Sequence, residues 1–528
     1  LGIIAGLVDE LEIVELNNEQ LGEDPRERVS AGVVVKAMIL NGLGFVSAPL
    51  YLFGQFFAGK ATEHLLGAGV LAEYLNDDRI GRVLDALYQR GITDMFVMIC
   101  LKAVQKFGIE RKSAHLDSTS FAVEGEYVAG DSWGAEMVAI HITHGYSRDR
   151  RPDLKQFVMN LVCWGDGDTP AFLELADGNQ ADKTRFAPLL QAFKEQWGFE
   201  GLYVADSALY SEANITQLGS LRWLTRVPLS LSEAQALVRQ LSESAFVTTG
   251  LDGYRIASVY SQDGGVCQRW VVVESRERQQ ADLRKLEKTL AQATQKAQSQ
   301  VKKLTRQDFA CAADARSAGE QLEQRLEWHC LKDIQVVEKA HYERPGKPKA
   351  GTLPTRITYH LQATPGLREE VVATHRRRAG CFILATNGVD VTDSEYRSDE
   401  QLLQEYKGQQ GNKRGFRFLK DPLFFASSVF LKAPERIMAL AMVMGLCLLV
   451  YNLGQRQLRQ ALKTAHQSLP NQLGQDTQNP TLRWVFQCFM AIHYVVLNGT
   501  QQIVNLSNER RHILQFLGAA CQKYYLLC

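Results

Sequence analysis

The order of hydrophobic patterns between Lys112 and Leu229 constrains this chain most, because it decides which strands can be neighbours. SAHLDSTSFAV alternates around Asp117, a period-two pattern that calls for a strand. MVAIHITHGY and KQFVMNLVCW read as two further strands, joined by the basic, turn-forming SRDRRPDLK. DKTRFAPLLQAFKEQWG is helical in pattern. GLYVADSAL is a short apolar strand whose C-terminal end carries Asp206. A helix is expected from near Ser211, and LRWLTRVPL is another strand. The sum is an α/β arrangement of three strands, a helix, a strand, a helix and a strand. It puts Asp117 within the first strand and Asp206 at the end of the fourth. If those strands are neighbours, the two carboxylates converge.

The flanking regions differ. Residues 1–110 read as helical: ERVSAGVVVKAMILNGLGF has helical apolar spacing, and two more helices follow, the first capped by Asn76 or Asp77. After Ser230 a strand-rich part (YRIASVYS, CQRWVVVES) leads into a charged helical run from Arg276 to Lys332. Leu283, Leu286, Leu290, Ala293, Ala297, Val301 and Leu304 form an apolar seam on that run. A second helix, Ala312 to Leu331, is expected to fold back on it, as a solvated hairpin rather than a DNA-contacting arm. Strands return at TRITYHLQA and CFILATN. The run IMALAMVMGLCLLVYNLG from Ile437 imitates a membrane span. Its apolar core of about 15 residues falls short of the roughly 20 that a bilayer requires, and charged residues flank it, so a buried core helix is expected. TLRWVFQCFMAIHYVVL and ERRHILQFLGAACQKYYLL read as two amphipathic helices.

With 528 residues, 45% hydrophobic and 22% charged, the chain has room for several domains with large cores. Its net charge is zero, so any nucleic-acid binding must come from local basic patches rather than a global field. Ten cysteines are scattered without a CxxC pair, which fits buried thiols in a reducing compartment and speaks against a zinc site. The apolar start lacks a basic n-region and soon meets Asp9 and Glu10, so no signal peptide is expected.

The segment Glu405 to Phe425, EYKGQQGNKRGFRFLKDPLFF, is the most specific in the chain. Read as one helix, it puts Tyr406, Gln409, Lys413 and Lys420 on roughly one face. Together with Asp117 and Asp206 it resembles the C-terminal signature of the IS-four-like DDE transposases of bacterial insertion sequences, whose pattern is Tyr-x2-Arg-x3-Glu-x6-Lys. The spacing survives here, but Gln409 stands at the Arg position and Lys413 at the Glu position. HITHGYSRDRRPDLKQ also looks like a family segment.

The resemblance implies a ribonuclease-H-like catalytic core, with a helical N-terminal domain over 1–110 that helps bind transposon ends. The core would span 111–229 and 381–454, with a β-rich plus helical insertion at 230–380 and a helical tail at 455–528. It implies cut-and-paste chemistry on double-stranded DNA, both transposon ends and target, by a homodimer in the bacterial cytoplasm, nucleoid-associated and without a membrane role. The cofactor would be two Mg2+ ions, with Mn2+ as substitute; Asp117 would bridge both and Asp206 would hold one. Tyr406, Gln409, Arg414, Arg417 and Lys420 would contact DNA, Gln409 without the charge of an Arg. Arg148, Arg150, Arg151 and Lys155, and separately His375 to Arg378, are further phosphate-binding candidates. Lys413 cannot ligate a cation while protonated, and it repels one by about 4 kcal/mol per charge pair at intermediate dielectric. Neither Glu405 nor Asp421 is an equivalent ligand on a straight helix. Two readings therefore stand beside an active transposase: a catalytically impaired DNA-binding relative, and a ribonuclease-H-like structure-specific nuclease.

Overall fold

The computed structural model describes residues 1–44, 53–125, 127, 139–263, 265–343, 353–421 and 431–527. These form two compact units: residues 1–226, 262–268 and 386–528, and residues 227–261 and 269–385.

The first unit begins with helices α1 (Gly2–Glu10), α2 (Ile13–Leu21), α3 (Ala31–Leu43), α4 (Phe53–Phe57), α5 (Thr62–Leu66), α6 (Asp77–Arg90) and α7 (Ile92–Phe107). Asn76 caps α6, its side chain accepting the Arg79 N–H at 2.9 Å. Five strands follow: β1 (Ser113–Val123), β2 (Lys155–Trp164), β3 (Thr169–Ala176), β4 (Leu202–Ala205) and β5 (Trp223–Val227). They lie in the order β3-β2-β1-β4-β5. β1 is antiparallel to β2, and β2 to β3, while β1–β4 and β4–β5 are parallel. Helices α8 (Asp182–Trp197) and α9 (Glu212–Leu218) supply the crossovers that parallel neighbours need. The mixed pairing and the alternation of strand and helix make the chain α/β.

The strand count holds, but one assignment does not. MVAIHITHGY is not a strand where it is described; Thr143 makes a single bridge to Gln156, and residues 137–138 lie outside the described residues. The third strand is β3 instead. It pairs with β2 through a tight turn in which Gly167 and Asp168 both take positive φ, at 72° and 54°.

The second unit contains α10 (Ser232–Gln240), β6 (Val247–Thr248), β7 (Tyr254–Asp263), β8 (Val266–Ser275), α11 (Arg276–Leu304), α12 (Ala312–Arg325), β9 (His329–His341), β10 (Arg356–Leu367), α13 (Glu369–Arg378) and β11 (Cys381–Thr386). Some β7 and β8 residues fall in the first unit. On α11 only the C-terminal part of the apolar seam is buried: Ala297 and Val301 pack with Leu326 and Leu331. Leu331 itself lies in β9, because α12 stops at Arg325 rather than running on as expected.

The first unit resumes with α14 (Asp399–Gly408), α15 (Gln410–Leu419) and α16 (Pro434–Thr464). α16 opens on a proline, whose missing N–H costs nothing at a helix start. It packs against α3, α6, α7 and β3. Among the described residues it is one helix long and apolar enough to cross a membrane, and 89% of its most apolar stretch is buried against the rest of the chain. Beyond it, the expected helix TLRWVFQCFMAIHYVVL is split. α17 (Leu482–Cys488) is followed by a hairpin of His493–Leu497 with Thr500–Val504. Val495 and Val496 favour a strand, and Asn498-Gly499 turns the chain with both residues at positive φ.

Candidate active site

β1 is buried along nearly its whole length, yet it carries a carboxylate at its middle: Asp117 is only 6% exposed. The register explains what faces it. β4 pairs with β1 from Ser113↔Leu202 to Leu116↔Ala205 and then stops. Asp117 is the next residue of β1 and Asp206 the residue just past the end of β4, and adjacent strands run about 4.8 Å apart. Asp206 turns the chain out of the strand: its carboxylate accepts the Ala208 N–H at 2.9 Å, and its carbonyl accepts the Thr225 hydroxyl at 2.6 Å. Helix α15 brings in the third position. The 405–420 signature is not one continuous helix, because α14 ends at Gly408 and α15 begins at Gln410. Residues 422–425 of the Glu405–Phe425 segment lie outside the described residues.

Two amide side chains dock α15 on β1. Gln409 Nε2 donates to the Leu116 carbonyl at 3.2 Å, and Asn412 Nδ2 to the His115 carbonyl at 2.6 Å. Both residues are 2% exposed. Gly411 permits the approach, since a Cβ there would collide with the Asp168 carboxylate. Phe416 and Leu419 bury the same helix from its far end. Lys413 and Arg417 are left on the exposed side.

The result is one cavity of about 870 Å³ lined by Asp117, Asp206, Lys413, Arg417 and Lys420 together with Ser118, Thr119, Tyr146, Arg148, Asp149, Asp182, Phe416 and Asp421. Five of the eight expected site residues therefore meet. Tyr406, Gln409 and Arg414 do not line the cavity. Gln409 faces β1 rather than solvent, so the phosphate contact expected of it is replaced by a packing role. Arg414 is exposed and pairs with Asp168 at 3.4 Å.

Several charges in the cavity are already matched. Arg148 pairs with Asp182, which also accepts the Ser118 hydroxyl at 2.7 Å. Lys420 pairs with Asp149 at 2.7 Å, and Asp421 with Arg483 at 2.6 Å. The sequence reading passed over Asp149 and Asp182; the signal for Asp182 was an acid opening a predicted helix straight after a strand pair. Asp421 does reach the cavity, contrary to the straight-helix expectation, but its carboxylate is held by Arg483. Of the other phosphate candidates, Arg151 pairs with Asp153 at 2.8 Å and Lys155 donates to the Tyr127 carbonyl at 3.0 Å.

Burial pushes the Asp117 carboxyl up to about 6; Lys413 opposes the shift, Asp206 adds to it, and the Ser118 N–H and Arg148 oppose it. The donor set does not fit a pair of divalent ions. Two carboxylates converge, but the third position carries an ammonium, and among the described residues no group of three or more His, Cys, Asp or Glu could hold a metal.

Residues 1–101 match a family model described as "Domain of unknown function (DUF4277)". No curated protein matches the chain. Among solved structures, the chain is similar to one titled "Cryo-EM structure of piggyBac transposase synaptic complex with hairpin DNA (SNHP)". The two share 9% identity at a TM-score of 0.37, over 98% of this chain and 78% of that one. A likeness that weak carries no argument about this chain.

Proposed function

We propose that this chain is a DNA-binding protein of the insertion-sequence transposase type, built on a ribonuclease-H-like core, in which Lys413 cripples strand cleavage. One observation carries the reading. Three positions scattered over almost 300 residues, Asp117, Asp206 and Lys413, line a single cavity. The strand order β3-β2-β1-β4-β5, with acids following Leu116 and Ala205, supports the core assignment. Lys413 and Arg417 at the same cavity supply the positive side that a phosphate backbone requires.

In this reading residues 1–110 contribute to end recognition, 111–229 and 381–454 form the core, 230–380 is an insertion and 455–528 a tail. The protein acts in the bacterial cytoplasm, nucleoid-associated, and pairs two DNA ends as a homodimer. A cleaving site of this type needs three carboxylates around Mg2+ or Mn2+, and this chain offers two.

The test is end cleavage in Mg2+ or Mn2+, with the protein as it stands and with Lys413→Glu, on DNA flanking its own gene. Nicking by the Glu variant alone is the expected result. Equal cleavage by both would refute the assignment of position 413. Failure of both proteins to bind any such duplex would overturn the DNA-binding reading itself.

A further inference from the structure

The charges of the cavity sort into two groups. Arg148, Lys420 and Asp421 are each committed to an ion pair. Asp117, Asp206, Lys413 and Arg417 are not: among the described residues, none of the four has an opposite charge within 4 Å. These four sum to zero, two carboxylates against two cations. The cavity is therefore electrically closed without any added ion. With a carboxylate at 413 the same four positions would sum to minus two, and a buried acid beside two others would demand a divalent cation.

We propose that Lys413 is a built-in countercharge that replaces a bound divalent cation in this cavity, so that the protein engages DNA without a metal. The inference rests on the DNA-binding reading above and deepens it. Lys413 sits where it can act in this way because Gln409 and Asn412 hold α15 on β1 on either side of Leu116 and His115, one residue before Asp117. Its side chain reaches the cavity from the exposed face of the helix, so its charge is available to Asp117 below and to a phosphate above. A phosphate diester entering the cavity meets Lys413 and Arg417 rather than an exposed pair of carboxylates. In a site with three acids, the same phosphate would be repelled until a cation had bound.

Two measurements test this with the full chain. The first follows Mn2+ binding to the protein alone, by calorimetry and by the electron paramagnetic resonance of free Mn2+. The expected result is no uptake by the protein as it stands, and saturable uptake by Lys413→Glu that Asp117→Asn abolishes. The second measures binding of labelled duplexes from the gene's flanks in EDTA and in Mg2+. Affinity of the protein as it stands should be the same in both. Lys413→Glu should bind about tenfold or more weakly in EDTA and recover in Mg2+. Lys413→Gln serves as a control for charge loss without a new ligand, and should weaken binding in both conditions alike.

Saturable Mn2+ uptake by the unaltered protein, lost in Asp117→Asn, would overturn the inference. So would tenfold stimulation of its DNA binding by Mg2+. If no duplex binds under any condition, the DNA-binding reading fails, and the Mn2+ arm still decides whether Lys413 excludes the cation. Lys413 is exposed, so these substitutions leave the packing of α15 intact.

Discussion

A carboxylate at the centre of a buried strand is costly, and Asp117 shows how the cost is distributed. Its pKa is raised to about 6 from an ordinary value of 3.8, chiefly by burial. Between those values the folded chain holds a proton that the unfolded chain has released, so stability falls as pH rises through this window. The penalty is absent below the unfolded value and complete above about 6. A shift of this size corresponds to roughly 3 kcal/mol. Asp117→Asn should therefore raise the unfolding free energy from urea titration at pH 7.5 by that order and leave it nearly unchanged at pH 4 relative to the unaltered protein. An equal gain at both pH values would mean that the carboxylate is not strained by burial. Lys413 offsets part of this penalty, so Lys413→Gln should destabilise at pH 7.5 and do so less at pH 4. These residues were legible in the sequence through their combination: an aspartate in β1 is a weak signal alone, and the spacing of the 406–420 segment singles out Asp117 and Lys413 together. The partners were not. Arg148 reaches Asp182 and Lys420 reaches Asp149 from loops and helices far apart in the chain, and nothing in their spacing announces it.

At the scale of elements, the junction of α15 with β1 decides the site. Sequence spacing puts Gln409 on the face of Lys413 and Lys420, and the resemblance implies a weakened phosphate contact for it. The break between α14 and α15, and the burial of Gln409 against Leu116, assign it to packing instead. Spacing identifies a face; it cannot say whether that face meets solvent or a strand. Removing either amide deletes a buried side-chain hydrogen bond that docks α15 on β1, at about 0.5–1.5 kcal/mol each. Gln409→Ala and Asn412→Ala should each lower thermal stability by that order, and both should leave the salt dependence of DNA binding unchanged. A change in salt slope without loss of stability would return Gln409 to the phosphate-binding set. Long, strongly patterned elements were the readable ones: β1, β2 and α8 stand where the pattern put them, and α16 contains the expected apolar run but continues to Thr464. β3 escaped because TPAFLELA follows β2 after a four-residue turn and carries a proline, while the described part of MVAIHITHGY, residues 139–146, alternates yet makes only one bridge. α16 shows what the apolar run is for. Leu446 is 0% exposed, and Leu446→Ala should cost about 2–5 kcal/mol, measured as a shift in the denaturant midpoint. A cost below 1 kcal/mol would mean that the core lies elsewhere.

For the whole molecule, the zero net charge turns the functional question into one of local balance. A chain without a global field gains DNA affinity only through cations that are free to meet phosphate, because each phosphate neutralised releases counterions and steepens the salt dependence by about 0.9. Arg148 and Lys420 must first leave Asp182 and Asp149, and breaking an ion pair to make another gains little. Lys413 and Arg417 face the cavity with no such commitment among the described residues. Binding measured from low to moderate salt should therefore lose about one unit of slope in Lys413→Gln and another in Arg417→Gln. Lys420→Gln should lose less, since Asp149 is left with a negative charge but no phosphate contact is given up at the outset. Equal losses from all three would mean that the ion pair opens on binding at negligible cost. No loss from Lys413→Gln would show that DNA does not approach this end of α15, and would remove the basis for reading the cavity as a phosphate site.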